Sequence, residues 1–144
     1  MTASVPSPQK RIFITGASGC IGHYIVEALS KNPNYHLDLL LRTPEKLNPK
    51  LAGLPNVHLH QGDLREIRYH ADLLKQADVA IPIATCWGGS DAFDINVVKN
   101  IELINALDPE RCEQVLYFST ASILGNDDRP LKEAGQIGTE YVRS

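Results

Sequence analysis

Thr15-Gly16-Ala17-Ser18-Gly19-Cys20-Ile21-Gly22 sets three glycines three residues apart, and their chemistry would be that of an anion cradle. Gly16 permits a tight turn out of the apolar run before it. Gly19 lets the backbone approach a ligand with no Cβ in the way, and Gly22 lets the following helix pack closely on a sheet. The amides of Gly19, Cys20 and Ile21 then face the ligand at the positive end of that helix. Ser18 lies within the same loop and joins the expected binding set. The spacing G-x-x-G-x-x-G is one residue longer than the G-x-G-x-x-G fingerprint that holds a dinucleotide pyrophosphate. No Gly-Lys-Ser/Thr closes the motif, which excludes a P-loop.

A second chemical signal stands about twenty residues on, where Leu39-Leu40-Leu41-Arg42 ends an apolar run. Dinucleotide folds that take NAD place an Asp or Glu there to accept from the ribose 2′-OH. Here the place holds Arg42, with Lys46 close behind. A guanidinium can pair bidentately with a 2′-phosphate that a carboxylate would repel, so NADP is expected in preference to NAD. Asp38 is the weaker, opposite indication, because it lies inside the strand.

The elements that must carry these residues alternate in type. Lys10–Thr15 is β-rich, and Cys20 to Ser30 puts Ile21, Ile25, Ala28 and Leu29 on one helical face. Asn32-Pro33-Asn34 ends that helix. His36 to Arg42 reads as a second strand, followed by a Pro/Gly-containing loop with short helical turns, and Val57 to Gln61 reads as a third. A helix is predicted over Arg68 to Gln76. A fourth strand starts at Ala77 and closes near Ile81 to Ile83, because Pro82 sits badly mid-sheet. Ala92 to Leu107 is the clearest helix, with Phe93, Val97, Ile101 and Ile104 on one face. Gln114 to Ser119 reads as a fifth strand. Such alternation implies parallel strands joined by right-handed crossovers. The expected architecture is therefore α/β, a doubly wound parallel (Rossmann) sheet of order 3-2-1-4-5 that ends after its fifth strand. Residues 1–9 read as a disordered lead-in, and residues 10–144 as an incomplete dinucleotide-binding domain without a substrate lobe.

Bulk properties narrow the class. The chain has 144 residues, 43% of them hydrophobic and 22% charged, enough for one domain with a real core. The net charge of -3 gives no reason to expect nucleic acid or an acidic membrane surface. Cys20, Cys86 and Cys112 are few, odd in number and without metal-ligand spacing, which favours a reducing, cytoplasmic setting and no metal. No apolar run approaches a membrane span. Among the histidines, His58 and His60 share a strand face, which reads as packing or solvent exposure and not as a metal site.

ITGASGCIG after a first strand resembles the opening of the short-chain dehydrogenases/reductases, and later segments resemble the extended, NAD-dependent epimerase/dehydratase-like branch in the right order. Gly62-Asp63-Leu64 looks like the family's "GDL", whose Asp contacts the adenine amino group; a carboxylate is a sound acceptor there. Asp94-Ile95-Asn96-Val97 resembles the segment whose Asn braces the active site. Phe118-Ser119-Thr120-Ala121-Ser122-Ile123-Leu124-Gly125 resembles "SSxxvyG", which puts Thr120 at the family's catalytic Ser/Thr position. Tyr141 looks like the Tyr of Y-x-x-x-K, with the Lys position falling just past Ser144. Ala84, Asp63, Leu64 and Ser119 complete the expected cofactor-binding set; Thr120, Tyr141 and Asn96 are the expected catalytic group.

The resemblance implies a nicotinamide dinucleotide as partner. It also implies hydride exchange at a carbinol or carbonyl carbon, with a sugar nucleotide as a candidate small-molecule substrate. A free tyrosine titrates near 10, so only about one in a thousand is phenolate at pH 7. Without the Lys, this chain alone is expected to turn over poorly. The competing reading is a non-catalytic NADP(H)-binding regulatory module. An uncovered fifth strand also invites self-association into a homodimer.

Overall fold

The computed structural model describes residues 9–119. Five parallel strands form one sheet in the order β3-β2-β1-β4-β5, as the alternation implied. They are β1 (Lys10–Thr15), β2 (Tyr35–Leu41), β3 (Val57–Gln61), β4 (Val79–Pro82) and β5 (Gln114–Val115). β1 runs beside β2 from Lys10↔Tyr35 to Thr15↔Leu40 and beside β4 from Ile12↔Val79 to Thr15↔Pro82. The order reverses at β1, so a crevice opens beyond the carboxyl ends of β1 and β4.

Alternate strand residues feed two cores. Ile12, Ile14, Leu37, Leu39 and Ile81 pack one face of the sheet against α1 (Cys20–Ser30) and α2 (Pro49–Ala52). Phe13, Leu40 and Ala80 pack the other against Leu64, Ile67, Leu74 and Leu103. These come from a 3-10 segment (Leu64–His70), α3 (Ala71–Lys75) and α4 (Lys99–Ala106). Among the described residues no helix is long and apolar enough to cross a membrane.

Four expectations need correction. α1 buries Gly22 and Val26, with Ile25 and Leu29 against the core, while Ile21 and Ala28 face outward. The contact face is rotated toward Gly22, where the helix meets the backbone of Gly16 and Ala17 in the loop that leaves β1. The helix expected over Arg68 to Gln76 begins earlier, as the 3-10 segment from Leu64, because the Asp63 side chain accepts from Arg65 N at 2.9 Å and caps it. The helix near Asp94 holds a π turn over Asp94–Val98 before α4. Its Phe93, Val97, Ile101 and Ile104 face is exposed, Phe93 by 70%, and Asn100 and Leu103 are the buried residues of α4. That helix carries two apolar faces and the sheet covers one. Finally, the fifth strand is short. Leu116 N donates to Ala80 O at 2.9 Å, and the next ladder bond would need an N–H at residue 82, where Pro82 has none.

The histidines form a network with a buried carboxylate. Asp38 is tied from Arg11 Nη2 (2.9 Å) and Nε (3.2 Å), His60 Nε2 (2.8 Å) and His36 Nε2 (3.1 Å), and His58 stacks on His36 with ring centroids 3.9 Å apart. Burial by itself would push the Asp38 carboxyl up; the hydrogen bonds from Arg11 and His60 and the charges of Arg11 and His36 outweigh it and hold the group below the ordinary carboxylate value. Burial, reinforced by neighbouring His36, lowers His58; burial, with His60, lowers His70.

The sign of the pH dependence follows. Folding makes His58 and His70 harder to protonate, so as pH falls through their ordinary value of 6.5 the unfolded chain takes up more protons and stability falls. The Asp38 contribution is present above the ordinary carboxylate value and disappears as pH drops through its lowered folded value. The urea midpoint should therefore decline on acidification from about pH 7 to about pH 5. His58→Phe, which keeps a ring over His36 without a titrating nitrogen, should shrink that decline. An unchanged slope in this variant would remove His58 from the account.

Candidate active site

A cleft of about 550 Å3 lies where the ends of β1, β2 and β4 meet the 3-10 segment. It is built from Thr15 outward. The buried Thr15 Oγ1 accepts from Ile83 N and Ala84 N, each at 3.2 Å, and holds the end of β4 against the start of the loop. Gly16 follows with φ +77, and a Cβ there would stand 2.6 Å from Ala84 N. Both the left-handed turn and the closeness of β4 thus require glycine.

Gly19 N donates to Gly16 O at 3.1 Å and closes the turn, and Gly19 is the N-cap of α1 with no side-chain cap. Among the described residues a Cβ on Gly19 would meet only Gly16 O, at 3.3 Å, which leaves the space before the helix open to a ligand. The first amides of α1 have no intrahelical acceptor and suit a phosphate. Gly22 plays a different part from the one its spacing suggested. A Cβ there would fall 2.0 Å from Gly16 O and 2.8 Å from Ala17 Cα, so Gly22 packs against the loop itself.

Gly16, Ser18, Gly19, Cys20, Ile21, Gly22, Arg42, Asp63, Leu64 and Ala84 all line this one cleft. Arg42 is exposed at the end of β2 with Lys46 beside the same opening. Asp38 lies elsewhere, buried in the network with Arg11, and so offers no carboxylate to a ribose in the cleft. Asp63 is an N-cap and a cleft residue at once: capping Arg65 holds the carboxylate at the rim.

Two expected residues stand differently. Ser119 is exposed and is not among the residues lining the cleft. Asn96 does not line it either. Its Nδ2 donates to Cys86 O and its Oδ1 accepts from Cys86 N, both at 2.8 Å, so both ends of the amide are occupied by one backbone residue. Asn96 is a positioning residue for the segment after β4, and Ile95 is the helix residue that reaches the cleft. Thr120 and Tyr141 lie outside the described residues.

Sequence reasoning missed Thr15 as a brace and Arg65 as a further cation in the cleft, bonded to Asp91 Oδ2 at 3.0 Å and 3.5 Å from Asp63 Oδ2. Arg65 follows directly on Gly62-Asp63-Leu64, so the signal was adjacent to a motif already in hand. For Trp87 the sequence left lining the site and core packing both open, and it lines the cleft.

A family model described as the NAD dependent epimerase/dehydratase family matches residues 12–143. A UDP-glucose 4-epimerase of Cyamopsis tetragonoloba is 28% identical over 149 residues, covering 90% of this chain and 41% of the relative. A UDP-glucuronic acid 4-epimerase of Bacillus cereus, solved with NAD and a fluorinated UDP-glucuronic acid, superposes with a TM-score of 0.75 at 21% identity, over 88% of this chain and 45% of that one. A short-chain dehydrogenase/reductase of Veillonella parvula, solved with NADP, superposes with a TM-score of 0.62 at 20% identity, over 81% and 50%. The chain therefore spans half or less of the length of these proteins. The two structural likenesses bear on the fold.

Proposed function

This chain belongs to the NAD dependent epimerase/dehydratase family, and from that premise we propose that it is the NAD(P)-binding portion of an oxidoreductase or epimerase/dehydratase. The reaction is hydride transfer at a carbinol or carbonyl carbon of a sugar nucleotide. One observation carries the reading: a three-glycine loop, a helix N-terminus and the ends of β1, β2 and β4 converge on a single cleft at the point where strand order reverses. The sugar-nucleotide class is supported by the similarity to a UDP-glucose 4-epimerase.

The residues present fit a dinucleotide. Gly19 leaves open the space that a pyrophosphate needs, and a Cβ at Gly16 would fill the junction with β4. The amides of Cys20 and Ile21 hold the pyrophosphate, and the Gly19 amide, expected to join them, closes the loop onto Gly16 O instead. Asp63 and Leu64 flank the adenine, and Ala84 borders the nicotinamide half on the β4 side. Bound there, the nicotinamide supplies the hydride acceptor and donor. Asn96 holds the Cys86 backbone and with it the wall after β4. Thr120 and Tyr141 are assigned to the substrate oxygen by family resemblance.

Arg42 and Lys46 support NADP over NAD, because two cations at the end of β2 favour a 2′-phosphate and Asp38 is committed elsewhere. The test is calorimetric titration with both cofactors. NADP should bind the more tightly, and Arg42→Asp should reverse the order, with a loss for NADP of about ten- to a hundredfold. Equal affinities in the unmodified chain would refute the preference, and no binding of either would refute the function.

A further inference from the structure

Trp87 is the only tryptophan of the chain, and it is 82% exposed while lining the cleft. Leaving a large aromatic surface in water beside a binding site is unfavourable unless a ligand covers it. Its surroundings join a fixed anchor to a free end. On one side the Cys86 backbone is gripped at both N–H and C=O by Asn96. On the other, Gly88 and Gly89 take φ values of 72 and 84, and among the described residues nothing lies within 4 Å of the place where their Cβ atoms would be. The indole thus stands on a located residue, followed by two glycines with room around them.

The sheet order states which half of a dinucleotide Trp87 would meet. Arg42, Asp63 and Leu64 follow β2 and β3, on one side of β1, and Trp87 follows β4, on the other. A ligand whose pyrophosphate sits over the glycine loop puts its adenosine half toward β2 and β3 and its nicotinamide riboside toward β4. We propose that Trp87 is a cofactor-binding residue whose indole packs against the nicotinamide ring and covers that half of the cleft. This rests on the dinucleotide reading above and adds a specific residue to it.

The sole tryptophan is also the probe. Selectively excited indole emission should be quenched and move to shorter wavelength when NADPH is added. It should change little with 2′-phospho-ADP-ribose, which lacks the nicotinamide ring. Trp87→Leu should weaken NADPH roughly two- to tenfold by calorimetry, the size of a lost aromatic contact. It should leave 2′-phospho-ADP-ribose unaffected, and Trp87→Phe should recover part of the loss. The proposal is overturned if calorimetry shows NADPH bound while emission does not move, or if Trp87→Leu weakens both ligands equally. If calorimetry shows no dinucleotide bound at all, the functional reading falls and this inference falls with it, an outcome distinct from the first two.

Discussion

Gly19→Val should abolish dinucleotide binding while leaving the melting temperature nearly unchanged. The backbone at residue 19 is extended, with φ -78 and ψ 172, which valine adopts without strain. Its Cβ would touch only Gly16 O, at 3.3 Å, a contact the loop can relieve by a few tenths of an ångström. The added methyls instead occupy the open space in front of the first amides of α1. A ligand held off those amides loses more than one charge-assisted hydrogen bond, so affinity should fall at least about a hundredfold. Calorimetry with NADP measures the loss, and thermal melting by circular dichroism checks that the fold is intact. Unchanged affinity in a folded variant would show that the pyrophosphate does not lie over this loop.

Gly22→Ala should have the opposite signature, a large loss of stability from a single methyl. The Cβ would fall 2.0 Å from Gly16 O and 2.8 Å from Gly16 C and Ala17 Cα, all of them backbone. No side chain can rotate away, so α1 must move off the loop or the loop must open. Overpacking of this kind costs about 3 kcal/mol, roughly a 10 °C drop in melting temperature for a domain of this size. The same shift disturbs Gly16, whose neighbour Ala84 ties the loop to β4. A variant that melts within a degree or two of the parent would show that the helix has room the structure denies it. Taken together, the two substitutions separate the glycine that leaves room for the ligand from the glycine that holds the loop.

Much of this protein was legible in its sequence because the deciding interactions are local. The strand core at Ile12–Ile14 is a continuous apolar run and that at Leu37–Leu41 is broken only by Asp38, and alternation with helices leaves few topologies besides the observed 3-2-1-4-5 order. The glycine loop is eight consecutive residues, and its convergence with Arg42, Asp63, Leu64 and Ala84 on one cleft follows from their each ending a strand of the same parallel sheet. What the tertiary structure alone decided depends on partners distant in the chain. Gly22 is required by Gly16 O, α4 turns its Asn100 and Leu103 to the core because the sheet covers one of two apolar faces, and β5 stops where Pro82 on its neighbour lacks an N–H. Asp38 was lost as a ribose ligand to Arg11, a residue 27 positions away, and Trp87 was left in the open at the cleft. Hydrophobic periodicity states that a residue is buried or exposed against something; which surface lies opposite is set only when the strands are in register and the crossovers are closed.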